Sequence, residues 1–158
     1  MKKSIFSLAV ATLVAVPLLS QAREVTFTTV MKNYSGEGAY VALYLVDANG
    51  NYQQTLWLAG EKTKYYKHLS GWALGSKLRA AEYDGRTGAS VLSSKTLKVT
   101  VDIADAMIDA GYEVRVDTAV EDQRDNRSDA TAKLTTDGVG KTVAGRGYVQ
   151  SLSYTFKP

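Results

Sequence analysis

The chain has 158 residues, with 19 basic and 16 acidic side chains, one histidine and no cysteine. The lack of thiols excludes disulfide staples, thiol redox chemistry and thiolate metal sites, and a lone histidine leaves no second one to share a metal. A formal charge of +3, without any Lys/Arg run interleaved with aromatics, argues against a nucleic-acid groove.

Residues 1–22 read as a Sec-type signal peptide. Lys2 and Lys3 supply the positive start, an apolar stretch interrupted by Pro17 follows, and Ser20 and Ala22 have the small-residue spacing of a signal-peptidase site. The apolar run is short for a spanning helix and ends without a charged stop. The expectation is therefore export to the periplasm, cleavage, and a domain over residues 23–158 that is not inserted in the membrane. Loss of Lys2 and Lys3 brings its charge to about +1. A domain of that size buries roughly two-thirds of its unfolded surface, and with Pro158 its only proline it has no stiff linker.

From there the pattern is mainly of period two. Val25, Phe27 and Thr29 share one face of a first strand. "AYVALYLVD" is a continuous β-branched and aromatic run, as expected of a central strand buried on both faces. "DANGN" is an Asn-Gly hairpin turn, and "YQQTLWL" is the returning strand. "TKYYKHL" reads as a further strand, and residues 72–80 as a short helix. Leu97, Val99 and Val101 line one face of "TLKVTVDI", "DIADAMIDAG" makes one turn, and Val114 and Val116 oppose Arg115 and Asp117. "EDQRDNRSDATAK" reads as an exposed loop or hairpin tip, "TTDGVGKTVAGRG" as irregular, and "YVQSLSYTF" as the last strand. Seven or eight short strands and at most two short helices predict an all-β, antiparallel sandwich of immunoglobulin or fibronectin type.

Constellations for catalysis are weak. His68 reads as a partly exposed strand residue, and no carboxylate pair stands out for acid–base work. Asp47, Asn49 and Asn51 resemble half a calcium loop without its bidentate glutamate, so the turn is the better reading. Glu121, Asp122, Asp125, Asn126 and Asp129 are hard oxygen donors, but Arg124 and Arg127 lie among them, which favours a solvated loop. Seven of the ten tyrosines lie between Tyr34 and Tyr83, together with Trp57 and Trp72. Half or more of these belong to packing, and the rest suit a surface that stacks on a planar ligand or partner. "KYYKHLSGW" is expected outside the core.

"YDGRTGAS" has two readings. One is an Asp-Gly hairpin. The other comes from the order Asp84-x-x-Thr87-Gly88-Ala89-Ser90, which resembles the acceptor motif of proteins modified by the periplasmic flavin transferase, with serine where threonine is the commoner acceptor. Such a match arises by chance on the order of once in a thousand chains of this length. The resemblance implies FMN joined by phosphoester to Ser90, with Asp84 and Thr87 recognised by the transferase and Gly88 and Ala89 giving clearance. Tyr83, Trp72 and Tyr66 are then the candidates for stacking on the flavin.

Nearly all of residues 23–158 is also similar to the periplasmic family designated domain of unknown function 2271. "AYVALYLVDANGNYQQTLWLAGEKTKYYKHLSGW", "TGAS" and "AGYEVRVDTAVEDQ" carry that resemblance, while "VDIADAMIDAG" stands where a Trp-Asp-Gly motif is common. It implies a fibronectin-like sandwich working beside PepSY-type membrane proteins and iron–siderophore receptors. The expected function is thus an electron carrier with covalent FMN, not an enzyme with its own substrate site. The alternative is a cofactor-free periplasmic binding or accessory module presenting its tyrosine-rich surface to a partner protein or a ligand.

Overall fold

The computed structural model describes residues 21–157, so the expected signal segment, apart from Gln21 and Ala22, lies outside the described residues. Among the described residues, nine strands form two facing sheets: β1 (Ala22–Met31), β2 (Tyr40–Val46), β3 (Tyr52–Ala59), β4 (Thr87–Gly88), β5 (Thr96–Ala104), β6 (Glu113–Ala119), β7 (Asn126–Lys133), β8 (Val143–Ala144) and β9 (Val149–Phe156). The first sheet runs β5-β1-β9-β8, and the second runs β4-β3-β2-β6-β7. All pairings are antiparallel except β3 with β4. In immunoglobulin terms β2, β3, β6 and β7 take the places of C, C′, F and G, and β1 and β5 those of B and E. The strand on the far side of β1 is the C-terminal β9 instead of an N-terminal strand.

Side-chain alternation explains both sheets. Val25, Phe27 and Thr29 of β1 and Val99 of β5 point inward, facing Val41, Leu43, Leu45, Val114 and Val116 across the sandwich. Their burial stabilises the pairing, at roughly 25 cal/mol per Å² of apolar surface removed from water. The outward residues of β2 are equally buried. Ala42, Tyr44 and Val46 form a second core with Leu58, Tyr66, Leu69 and Trp72. The lid of this core is the short helix α1 (Ser70–Ser76) and a 3₁₀ helix over Thr63–His68. A third layer therefore covers the second sheet, which is why "AYVALYLVD" is apolar without alternation.

Three expectations are corrected here. "TKYYKHL" is a 3₁₀ helix and not a strand, so His68 ends a helical turn. "KYYKHLSGW" does not lie outside the core, because Tyr66, Leu69 and Trp72 are at most 2% exposed. The helical segment expected at 72–80 begins and ends earlier, since Lys77 and Leu78 adopt left-handed backbone angles. The other strands form where alternation placed them. "EDQRDNRSDATAK" divides into a hairpin tip and β7, and "DIADAMIDAG" holds a 3₁₀ turn at Asp105–Met107.

Asp117 holds the third layer to the sheet. It is fully buried, and its Oδ2 accepts the Trp72 N–H at 2.8 Å. The first turn of α1, which lacks a side-chain cap from Leu69, thus gains a carboxylate from a neighbouring strand. Oδ1 accepts the Tyr44 hydroxyl at 3.0 Å and the Ser128 N–H at 2.8 Å. Burial first, then the adjacent Asp117 carboxylate, raises the Tyr44 pKa far above its ordinary value.

Candidate functional site

The segment Tyr83–Ser90 is not a hairpin. A turn closed by the Arg86 N–H on the Tyr83 carbonyl, 2.9 Å, has Gly85 at φ +74° and leads into the two-residue edge strand β4. The Arg86 and Gly88 carbonyls accept the Leu58 and Gly60 N–H groups at 2.8 and 2.7 Å, fixing Thr87 and Gly88 beside Leu58 and Ala59. The chain then crosses to Val91, which exchanges two backbone hydrogen bonds with Ala39 at 2.8 and 2.9 Å. Ser90 is pinned between these two anchor points. Asp84, Thr87 and Ala89 are exposed, and Ser90 is half-buried.

Two glycines in this region leave room for particular neighbours. A Cβ at Gly88 would stand 2.7 Å from Cζ2 of Trp57, so the glycine lets β4 lie on the indole. That packing accounts for Gly88 whatever else approaches the segment. A Cβ at Gly38 would fall on the Ser90 hydroxyl, so the bare glycine leaves room for Ser90 Oγ.

Ser90 opens on a cleft of about 240 Å³ whose walls include Glu37, Tyr40, Glu61, Lys62, Tyr65 and Glu121. A second cleft, of about 300 Å³, shares Tyr40, Tyr65 and Glu121 and extends to His68, Asp122 and Asp125. The walls are held in place from several directions. The Tyr65 hydroxyl donates to Glu121 Oε1 at 2.8 Å, and the Lys62 N–H donates to the Tyr40 hydroxyl at 3.2 Å. The two rings meet edge-on, 5.4 Å apart at 65°. Gly60, at φ +113°, brings its backbone against the Tyr40 ring where any Cβ would collide. The Lys64 ammonium lies 4.7 Å from the Tyr65 ring centre, a cation–π contact. At the far end His68 Nδ1 meets Asp125 Oδ2 at 2.9 Å in an exposed pair.

Ser90, Asp84, Thr87, Gly88 and Ala89 form one continuous surface segment. The aromatic candidates separate from it. Trp72 is fully buried, and Tyr66 is 2% exposed with its hydroxyl donating to the Gly60 carbonyl at 2.9 Å. Burial raises the Tyr66 pKa. Tyr83 is half-buried and packs edge-on against both, at 5.1 and 6.0 Å, and it lines neither cleft at Ser90. Tyr66 and Trp72 thus have no face free for a ligand, and the expectation that they stack on one is corrected. Sequence reasoning missed Tyr40 and Tyr65 because a 3₁₀ turn, unlike the strand it expected, was needed to bring Tyr65 to this end of the sandwich.

The acidic tip is divided in the same way. Asp129 is 1% exposed, and its two oxygens accept the Thr118 hydroxyl and the N–H groups of Arg146, Gly147, Tyr148 and Val149 at 2.6–3.1 Å. It is a structural anchor for that loop. Among the described residues no group of three or more His, Asp or Glu side chains converges as metal ligands would. Asp47 Oδ1 accepts the Asn49 and Asn51 N–H groups, each at 2.9 Å, and these bonds hold its carboxyl below the usual range, the Asn51 backbone bond contributing most. "DANGN" is the turn it was expected to be.

No helix among the described residues is long and apolar enough to cross a membrane. No curated protein and no solved structure matches the chain. The family model described as "Predicted periplasmic protein (DUF2271)" matches residues 22–151, spanning both sheets, the helical lid and the Ser90 segment. The chain is a periplasmic protein and belongs to the DUF2271 family.

Proposed function

We propose that Ser90 is an attachment point for FMN and that the domain carries electrons in the periplasm. The observation that carries this reading is the placement of Ser90, on an exposed edge segment with its hydroxyl beside Gly38 and its residue lining a cleft. Exposure of the segment and the cavity beside it support a tethered group. Asp84, Thr87 and Ala89 are open to a modifying enzyme, and Ser90 has a cavity beside it. Glu37, Glu61 and Glu121 outnumber Lys62 in that cavity, so a free phosphate meets net repulsion there. A phosphoester removes the need for non-covalent affinity, which clefts this small do not supply.

Attachment follows from elementary chemistry. Ser90 Oγ attacks the FMN-side phosphorus of FAD, an Oγ–P bond forms, the pyrophosphate P–O bond breaks and AMP leaves. The hydroxyl proton passes to a base of the transferase, which must activate this weak nucleophile. FMN, when attached, supplies reversible one- and two-electron transfer. The donor in this reading is a PepSY-type membrane oxidoreductase, and the acceptor is ferric iron or a ferric siderophore.

The test is the intact mass of the protein taken from the periplasm of a strain containing the flavin transferase. The expected mass exceeds that of the cleaved chain by one FMN less water, and Ser90→Ala loses the increment. An unmodified wild-type mass would falsify the proposal and leave the tyrosine-walled cleft to a cofactor-free binding module.

A further inference from the structure

We infer that Tyr40 and Tyr65 are the residues that receive the flavin ring, in the two clefts lined by Ser90 and His68, and that the Trp72–Tyr83 cluster takes no part. The inference rests on Ser90 being the attachment residue and adds where the attached ring lies. Three observations carry it.

The first is continuity. The cleft at Ser90 and the cleft at His68 share Tyr40, Tyr65 and Glu121, so the two cavities meet at these side chains. Each alone is at or below the lower end of small-molecule sites, roughly 300–1,000 Å³. Side by side, they present Tyr40 and Tyr65 to a group tethered at Ser90, which lines the first of them. The second is pre-organisation. Tyr40 is held by Gly60 and Lys62, and Tyr65 by Glu121 and by its edge contact with Tyr40. Both rings are half-buried, Tyr65 with the Lys64 ammonium 4.7 Å from its ring centre, and both contribute surface to the two clefts. Rings already fixed lose little side-chain entropy on stacking. The third is exclusion. Tyr66 and Trp72 have no open face, and Tyr83 lies against them away from both clefts. Another aromatic-walled cleft near the segment, between Trp57, Arg86 and Lys98, is lined by neither Ala89 nor Ser90.

Phenol and indole rings in contact with a flavin quench its fluorescence by donating an electron to the excited state, and a phenyl ring does not. Replacement by phenylalanine therefore removes the quencher while keeping the packing. Flavinylated protein from a transferase-containing strain is compared as wild type, Tyr40→Phe, Tyr65→Phe, the double variant and Trp57→Phe, with intact mass confirming one FMN in each. The expected result is a several-fold rise in flavin emission in the double variant, a smaller rise in each single tyrosine variant, and none in Trp57→Phe. A rise in Trp57→Phe without one in the tyrosine variants would place the ring in the other cleft and overturn the inference. Emission equal to free FMN in every form, wild type included, would put the ring in solvent and overturn it too. A wild-type mass without FMN rejects the attachment itself, so failure of the two ideas gives different readouts.

Discussion

Tyr65 and Tyr66 are adjacent in sequence and lie in different environments. Tyr66 is sealed beneath the third layer with Trp72, Leu69 and Tyr83, while Tyr65 stands at the open end of the sandwich between Tyr40 and Glu121. In a 3₁₀ helix consecutive side chains point about a third of a turn apart, so one neighbour faces the sheet and the next faces solvent. The same chemical type thus supplies cohesion at one position and an accessible surface at the other. A count of aromatics cannot separate these roles.

Substitutions can test that contrast, and the largest effect is expected in the sealed region. Trp72→Ala removes a fully buried indole and leaves its hydrogen bond to Thr55 Oγ1, 2.8 Å, unmade. A loss of about 3–5 kcal/mol in denaturant unfolding is expected. A loss below about 1 kcal/mol would mean that the lid contributes little to the fold. Asp117→Ala comes next, at about 3 kcal/mol, because it orphans the Trp72 N–H, the Ser128 N–H and the Tyr44 hydroxyl in a buried place. Hydrogen exchange should show α1 opening first.

Gly88→Ala probes the boundary between the two regions. The new methyl would press on Trp57, and overpacking of this kind costs about 1–3 kcal/mol. Its melting temperature should fall, and unchanged stability would show that the edge strand shifts freely.

The alkaline limb provides a pH test of the sealed side. The Tyr52 hydroxyl donates to Glu82 Oε2 at 2.7 Å and, with its one proton so used, accepts from Thr55 Oγ1 at 2.7 Å. Burial above all pushes its pKa from the ordinary 10 up to about 12. Between those values the unfolded chain has lost the proton and the native one has kept it. Stability is therefore fully present below 10 and declines as pH rises through about 12. Tyr52→Phe should make that decline shallower in urea titrations, and an identical slope would contradict this assignment. Tyr65→Phe should give the smallest effect, within about 0.5 kcal/mol, since an exposed hydrogen bond to Glu121 is all that it loses. A larger drop in its urea midpoint would show that the open end is part of the core after all.

The sandwich was legible in the chain because alternation is a local signal. Val25, Phe27 and Thr29, or Val99 with its neighbours at two-residue spacing, must share a face in any extended segment. The unbroken run in "AYVALYLVD" likewise required cover on both faces. What supplied the outer cover was not legible, since "TKYYKHL" suits a strand as well as a 3₁₀ turn. Asp117 and Asp129 were hidden for a related reason. As strand carboxylates they look solvated until the helical lid closes over Asp117 and the Arg146–Val149 loop over Asp129.

The candidate site shows the same division. The residue order Asp84, Thr87, Gly88, Ala89, Ser90 is contained in the sequence, and so is its likeness to an acceptor loop, because a contiguous segment brings its own neighbours. That "YDGRTGAS" leads into an edge strand anchored to β3 and not into a hairpin was decided by tertiary pairing. So was the identity of the rings beside Ser90. Tyr40 and Tyr65 lie far from Ser90 along the chain, and the Ala39–Val91 bridge, with the 3₁₀ turn laid over the second sheet, brings them to it.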